Sequence, residues 1–280
     1  MKPRAHRVSC DDRAVTSCDD TLRSTEPPER PLGRRLLGQE TLLVLALSLG
    51  ASGVSAIISF LGSLTAHKSL SAQTATLVGS AAPGRPWLDL AWQLFGIATA
   101  LVPVALVGHL FLREGGSLRL IGFDLRRPWR DLGWGAAIAA VIGGGGLALY
   151  LAARAAGANL TVVPTTLPDV WWRIPVLILS AAQNAVVEEV IVLGYLTRRL
   201  QRLGWSWPAT VAASALLRGS YHLYQGIGGF FGNLVMGVIF CWLFRRWGRV
   251  APMAVAHWLI DSVAFVGYVL LAGHVSWLPT

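Results

Sequence analysis

Six ionisable side chains interrupt long apolar stretches in the last third of the sequence. They are Glu188, Glu189, Arg218, His222, His257 and Asp261. A charged side chain inside a membrane span is costly, so residues of this kind mark either a partner or a function. Glutamate and histidine can take a proton from water, and positioned polar groups can stabilise the oxyanion that forms when that water attacks a peptide carbonyl. The residue types therefore point to peptide hydrolysis inside a membrane.

The spacing of these residues predicts which of them act together. His257 and Asp261 are four residues apart, so on a helix both project from one face, and the same holds for Arg218 and His222. We expect His257 and Asp261 to stabilise the oxyanion of the reaction.

The two adjacent glutamates are expected to have different roles. Neighbouring residues on a helix diverge by about 100°, so one glutamate can face a cavity while the other faces a neighbouring helix. We expect Glu188, with His222, to deprotonate the attacking water. Glu189 would hold the scaffold through an ion pair with Arg218.

The same residues leave other functions open. A carboxylate with two histidines is the ligand set of a catalytic zinc, although the sequence contains no HExxH motif, so the need for a divalent metal stays open. A proton-coupled transporter would use a buried Glu/His/Asp set as a relay, but transporters usually show internal repeats, and none is visible here. A polar network that only fixes helix register, or a non-hydrolytic pseudoprotease that binds a membrane partner, is a further alternative.

The elements that must position these residues are transmembrane helices. Of the 280 residues, 54% are apolar and only 14% are charged, and about 20 consecutive apolar residues cross a bilayer as a helix. The sequence predicts seven such spans: Thr41–Thr65, Leu88–Leu112, Leu132–Ala153, Ile174–Leu196, Pro208–Tyr224, Gly226–Phe244 and Val250–Leu271. The predicted fold class is an all-α polytopic bundle.

The distribution of basic residues predicts the topology. Alternate segments between the predicted spans carry 19 and 4 Lys and Arg residues. The positive-inside rule then places the amino terminus in the cytoplasm of a multi-pass cell-membrane protein. The basic residues serve as orientation signals and contacts for membrane lipid, not for nucleic acid. Residues 1–38 are expected to be a disordered cytoplasmic tail, and residues 39–280 the transmembrane domain.

Three stretches resemble the motifs of the CPBP family, the CAAX prenyl proteases and bacteriocin-processing enzymes. The stretch Asn184–Leu200 resembles the first motif, a Glu-Glu pair followed by Arg and Gly. The stretch Arg218–Gly226 resembles the second, in which an aromatic residue precedes a histidine by four. The stretch Ala256–Ser262 resembles the last, a histidine followed at four by Asn or Asp. Residues 174–271 carry all three motifs in the family's order.

The resemblance implies an intramembrane endopeptidase that acts on a hydrophobic peptide or membrane-protein substrate. Family members are commonly labelled metalloproteases. By the resemblance, Glu188 activates water and His222 is its partner. His257 with Asp261 corresponds to the oxyanion-side pair, and Glu189 to the second glutamate of the motif.

Two positions depart from the family pattern. Leu193 stands where the motif has arginine, and Arg218 stands where the motif has an aromatic residue. We interpret the two departures as one exchange, in which the cation lost from the fourth predicted span reappears on the fifth and still neutralises Glu189.

Overall fold

The computed structural model describes residues 33–275 and is dominated by helices. In chain order the helices are α1 (Arg34–Ala46), α2 (Leu49–Thr65), α3 (Pro86–Ala100), α4 (Val102–Arg113), α5 (Pro128–Ala155), α6 (Arg173–Glu188), α7 (Thr197–Arg202), α8 (Trp207–Ser220), α9 (Ile227–Trp247) and α10 (Ala251–Leu271). A π-helix, Glu189–Leu196, joins α6 to α7 without a break. Two short strands, β1 (Thr74–Val78) and β2 (Thr161–Thr165), form a parallel pair. The predicted all-α polytopic bundle is confirmed.

The predicted spans fall into three groups. Within the described residues, five continuous helical segments are long and apolar enough to cross a membrane: Pro86–Arg113, Pro128–Ala155, Arg173–Arg202, Ile227–Trp247 and Ala251–Leu271. The first predicted span is broken instead, because α1 and α2 meet at an angle of 51°. The fifth is shorter than predicted, since α8 has 14 residues and a helix of that length rises only about 21 Å.

The first helix overlaps the end of the predicted tail. α1 begins at Arg34, inside the segment 1–38 that was expected to be a disordered tail. Residues 1–32 of that predicted tail lie outside the described residues. Residues 34–38 of the predicted tail are therefore helical in the structure.

Ion pairs gather the basic loops at one end of the bundle. Buried Arg199 bonds Glu40 of α1 at 2.8 Å and Glu114, which follows α4, at 2.6 Å. In the loop before α10, Arg249 bonds Asp124 at 3.1 Å and Asp131 at 2.6 Å. We call this the basic end.

Two acids of the basic end are held in their charged form. Burial alone would raise the pKa of Glu114, but hydrogen bonds from Arg199 and Arg202 outweigh it and hold that pKa below its ordinary value. The pKa of Asp124 is likewise lowered, since the backbone N–H of Arg126 and the guanidinium of Arg249 outweigh its desolvation.

The opposite end of the bundle is closed by the two strands, and we call it the strand end. β1 and β2 pair in register from Thr74 opposite Thr161. Beside them, buried Asn159 accepts hydrogen bonds at its Oδ1 from the backbone N–H groups of Gly228 (2.8 Å) and Gly229 (3.4 Å). These are free donors at the amino end of α9, so Asn159 caps a helix that follows it by about 70 residues.

Candidate active site

The glutamate pair lies where an α-helix becomes a π-helix. α6 ends at Glu188, and Glu189 opens the π-helix that runs to Leu196. A π-helix is wider than an α-helix and frequently occurs at functional sites. Two hydroxyls bond its carbonyls: Ser214 Oγ donates to Val192 O at 3.1 Å, and Thr197 Oγ1 donates to Leu193 O. All eight residues of the π-helix are buried. Their packing holds Glu189, and with it the adjacent Glu188, in place.

Glu189 lies at the centre of the cluster and is fully buried. Its Oε1 accepts a hydrogen bond from Arg218 Nη2 at 2.6 Å and lies 2.8 Å from His257 Nδ1. The predicted pair of Glu189 with Arg218 is therefore present in the structure as an ion pair between the π-helix and α8. The same oxygen orients the imidazole of α10, a contact that the sequence did not predict.

Glu188 is the more accessible of the two glutamates, with a side chain 10% exposed against 0% for Glu189. Its Oε2 accepts a hydrogen bond from Tyr221 Oη at 2.8 Å. Arg218 Nη1 lies 3.5 Å from the same oxygen. One guanidinium thus contacts both carboxylates, and a phenol fixes the rotamer of the first.

His222 lies beside this cluster rather than on a shared helix face with Arg218. α8 ends at Ser220, so His222 follows the helix in a turn, and the predicted face with Arg218 does not form. His222 Nδ1 instead bonds the Arg218 carbonyl oxygen at 3.0 Å. The ring of His222 remains close enough for an electrostatic interaction with Glu188.

His257 and Asp261 share one face of α10, as their spacing predicts. Asp261 Oδ2 is 3.6 Å from His257 Nε2, which exceeds hydrogen-bond distance. Nδ1 of His257 is bonded to Glu189, so Nε2 is the nitrogen that stays available to a substrate.

The sequence reasoning missed Tyr221. Tyr221 was not among the predicted site residues, although a buried tyrosine hydroxyl usually finds a hydrogen-bond partner. Its side chain is 5% exposed and its hydroxyl bonds Glu188. A tyrosine next to a motif histidine was the available signal.

The donor set of the cluster fits a divalent cation. Glu188, Glu189 and His257 each offer a ligand atom, and these atoms lie within 4.8 Å of one another. Oε2 of Glu189 is buried and has no hydrogen-bond partner in the described part of the chain. Two carboxylates and an imidazole are ligands that zinc accepts. His222 is not part of this group of three, in contrast to the expected ligand set with two histidines.

Comparison with known families agrees with this geometry. Residues 170–263 match the family model described as type II CAAX prenyl endopeptidase Rce1-like. The match confirms the resemblance to the CPBP family. It covers about a third of the chain and includes the glutamates, Arg218 and both histidines. No curated protein and no solved structure matches the chain significantly.

The CPBP match and the helices together define the protein at a coarse level. The matched segment is similar to type II CAAX prenyl endopeptidases, and the apolar helices are those of a multi-pass membrane protein. The match also contains both departures from the CPBP motifs, Leu193 and Arg218. In the structure Leu193 is buried in the core and Arg218 holds the glutamates.

Proposed function

We propose that the protein is an intramembrane endopeptidase of the cell membrane that hydrolyses a peptide bond in a hydrophobic or membrane-associated substrate. The observation that carries the proposal is the convergence of Glu188, Glu189, Arg218 and His257 within 4 Å contacts inside the CPBP-type segment. The groups come from three elements: the junction of α6 with the π-helix, α8 and α10. A cluster of this composition in lipid is costly, and the proposed chemistry accounts for it.

Glu188 is the proposed general base. Its carboxylate is the more exposed of the pair, so it can receive a water molecule and take its proton. Tyr221 holds the carboxylate by its hydrogen bond, and the nearby imidazole of His222 accepts or returns the proton in the later step.

His257 is the proposed group on the oxyanion side. Glu189 accepts the hydrogen bond of Nδ1 and so fixes the ring; with His257 as an imidazolium, Nε2 also carries a proton and donates to the oxygen of the attacked carbonyl. Asp261 Oδ2 lies 3.6 Å from Nε2. Arg218 balances the charge of Glu189. In the alternative with a metal, a divalent cation held by Glu188, Glu189 and a neutral His257 would polarise the substrate carbonyl in place of the His257 donor.

The test is cleavage of an internally quenched farnesylated CAAX peptide by the purified full chain in proteoliposomes. Glu188→Gln should lower the rate by about 10²–10⁴-fold, the usual contribution of a general base. The matched control is Glu114→Gln, the same change at the basic end, which should retain activity. A Glu188→Gln protein as active as the wild type would overturn the proposal.

The same assay with a chelator tests whether cleavage needs a divalent cation. Loss of cleavage after chelation, restored by added zinc, is expected if the three ligand atoms hold a cation during the reaction. Cleavage that is independent of chelator would assign the reaction to the side chains alone. A wild-type chain that binds the peptide without cleaving it would favour the pseudoprotease alternative.

A further inference from the structure

A cavity of about 650 Å³ lies between α2, the start of β1 and the turn that carries the site tyrosines. Tyr221 and Tyr224 form one wall, and Tyr221 is the residue whose hydroxyl bonds Glu188. Tyr224 has electrostatic interactions with Glu188 and Asp261. The cavity therefore ends against the candidate active site, and Thr74 of β1 marks its other limit at the strand end.

The wall opposite the tyrosines is a row of serines on α2. Ser52, Ser55, Ser59 and Ser63 all line the cavity. At 100° per residue they fall within an arc of about 80°, so they form one line along the helix. The other exposed face of α2 carries large apolar side chains such as Ile58 and Leu61, as expected for contact with lipid.

Three of the four hydroxyls of this row are free, whereas Ser52 Oγ donates to Ser48 O at 3.5 Å. A serine inside a helix commonly bonds the carbonyl four residues earlier. Ser48 bonds Val44 O in this way, and Thr65 bonds Leu61 O. Among residues 33–275, no protein atom is a hydrogen-bond partner of the hydroxyls of Ser55, Ser59 and Ser63. Ser55 and Ser59 are exposed where they line the cavity, so their hydroxyls can donate to and accept from a polar group that enters it.

The dimensions of the row suit an extended peptide. Ser55, Ser59 and Ser63 are four residues apart, so their positions repeat about every 6 Å along α2. In an extended chain the backbone groups that face one side repeat every second residue, about every 6.6 Å. The whole row from Ser52 to Ser63 rises about 16 Å, which is the length of about five extended residues.

We propose that this cavity, the serine cavity, binds about five extended residues of the substrate next to the bond that is cleaved. The hydroxyls supply hydrogen bonds to a peptide backbone that has left its own helix in lipid, where unsatisfied backbone groups are costly. The small side chains of the wall leave room for the peptide, and the tyrosine wall delivers it to Glu188. This inference rests on the proposed function and adds a substrate-binding site to it.

Protection of a cysteine in the row tests the proposal. Ser59→Cys is introduced into the full chain with Cys10→Ser, Cys18→Ser and Glu188→Gln, so that a farnesylated CAAX peptide binds without turnover. Modification by a charged methanethiosulfonate reagent should slow about tenfold at saturating peptide. The control is Leu61→Cys, about 160° away from Ser59 around the helix axis, where the native leucine is 55% exposed and does not line the cavity. Its modification rate should not change.

Kinetics give a second readout in the otherwise unaltered enzyme. Ser59→Leu fills the cavity and should raise KM for the peptide about tenfold, with kcat nearly unchanged. Val54→Leu enlarges an exposed side chain on the other face of α2 and should leave both constants unchanged.

The outcomes separate this inference from the proposed function. If the wild-type chain cleaves the peptide but Ser59→Cys is not protected, or is inert to the reagent, the serine cavity is not the peptide site and the function stands. Equal protection of Leu61→Cys overturns the inference in the same way. Protection at Ser59→Cys without cleavage by the wild type supports the binding site and counts against the peptidase.

Discussion

Arg218→Met removes the guanidinium that contacts both site glutamates. Nη2 bonds Glu189 Oε1 at 2.6 Å, and Nη1 lies 3.5 Å from Glu188 Oε2. The Arg218 side chain is 1% exposed, so water cannot replace the lost charge. Methionine keeps an unbranched chain against the ring of Phe240, over which the guanidinium now lies at 5.3 Å. The substitution therefore removes the charge of Arg218 but keeps most of its packing.

The expected loss of stability in Arg218→Met follows from the burial of the ion pair. Removing one partner of a buried ion pair costs about 3–5 kcal/mol, because the other charge stays buried and unpaired. At about 2–4 °C per kcal/mol for a chain of this size, the melting temperature should fall by about 6–20 °C. The double variant Arg218→Met with Glu189→Gln removes both charges, and it should recover at least about 2 kcal/mol relative to the sum of the single variants.

Thermal unfolding of the full chain in detergent measures this cycle. Cys241 is fully buried, so its reaction with a fluorogenic maleimide reports unfolding in a Cys10→Ser/Cys18→Ser background. The matched control is Arg246→Met, an exposed arginine at the basic end, which should change stability by less than about 0.5 kcal/mol. Additivity of the two single variants within about 0.5 kcal/mol would refute the reasoning, since it would show that Arg218 and Glu189 are not coupled.

Three further changes test the surroundings of the site. Tyr221→Phe keeps the ring but removes the 2.8 Å hydrogen bond to Glu188, so peptide cleavage should fall about tenfold, with a stability change of about 1–2 kcal/mol; an unchanged rate contradicts the role of the phenol. Asn159→Ala removes the cap of α9 and should cost about 1–2 kcal/mol in thermal unfolding, whereas Asn159→Asp, which keeps the acceptor, should retain most of the stability. The lowered pKa of Glu114 means that its contribution is present above the ordinary carboxyl range and is lost as pH falls through the folded value. The melting temperature should therefore drop between about pH 5 and pH 3, and Glu114→Gln should reduce that slope; equal slopes in both proteins would contradict it.

The hypothesis that Arg218 replaces the arginine that the CPBP motif has at position 193 can also be tested directly. If Arg218 supplies the charge that the motif arginine supplies elsewhere, Arg218→Phe should destabilise the chain strongly. Adding Leu193→Arg to that variant should then restore part of the loss in the same thermal assay. No recovery would show that the two positions are not equivalent, because position 193 is packed in the core and its side chain need not reach the glutamates.

The sequence determined the fold class and five of the seven predicted spans, and it predicted the residue types of the site, because each depends on local features. Hydropathy over about 20 residues predicts a membrane helix regardless of its neighbours. Motif spacing was enough to select Glu188, Glu189, His222 and His257. The break between α1 and α2 and the early end of α8 were missed, since apolar composition continues through both.

Only the tertiary structure decided how the selected residues are paired. The spacing of residues in the sequence does not predict that His257 Nδ1 contacts Glu189 or that Tyr221 donates a hydrogen bond to Glu188. It also does not predict that His222 lies in a turn. These contacts join residues 30 to 70 positions apart, and they depend on how helices rotate and shift against one another. The serine row was readable as a period along α2, but the cavity in front of it exists because α2, β1 and the tyrosine turn do not close on each other. Local sequence sets which face of a helix is polar; the packing of other elements sets what that face meets.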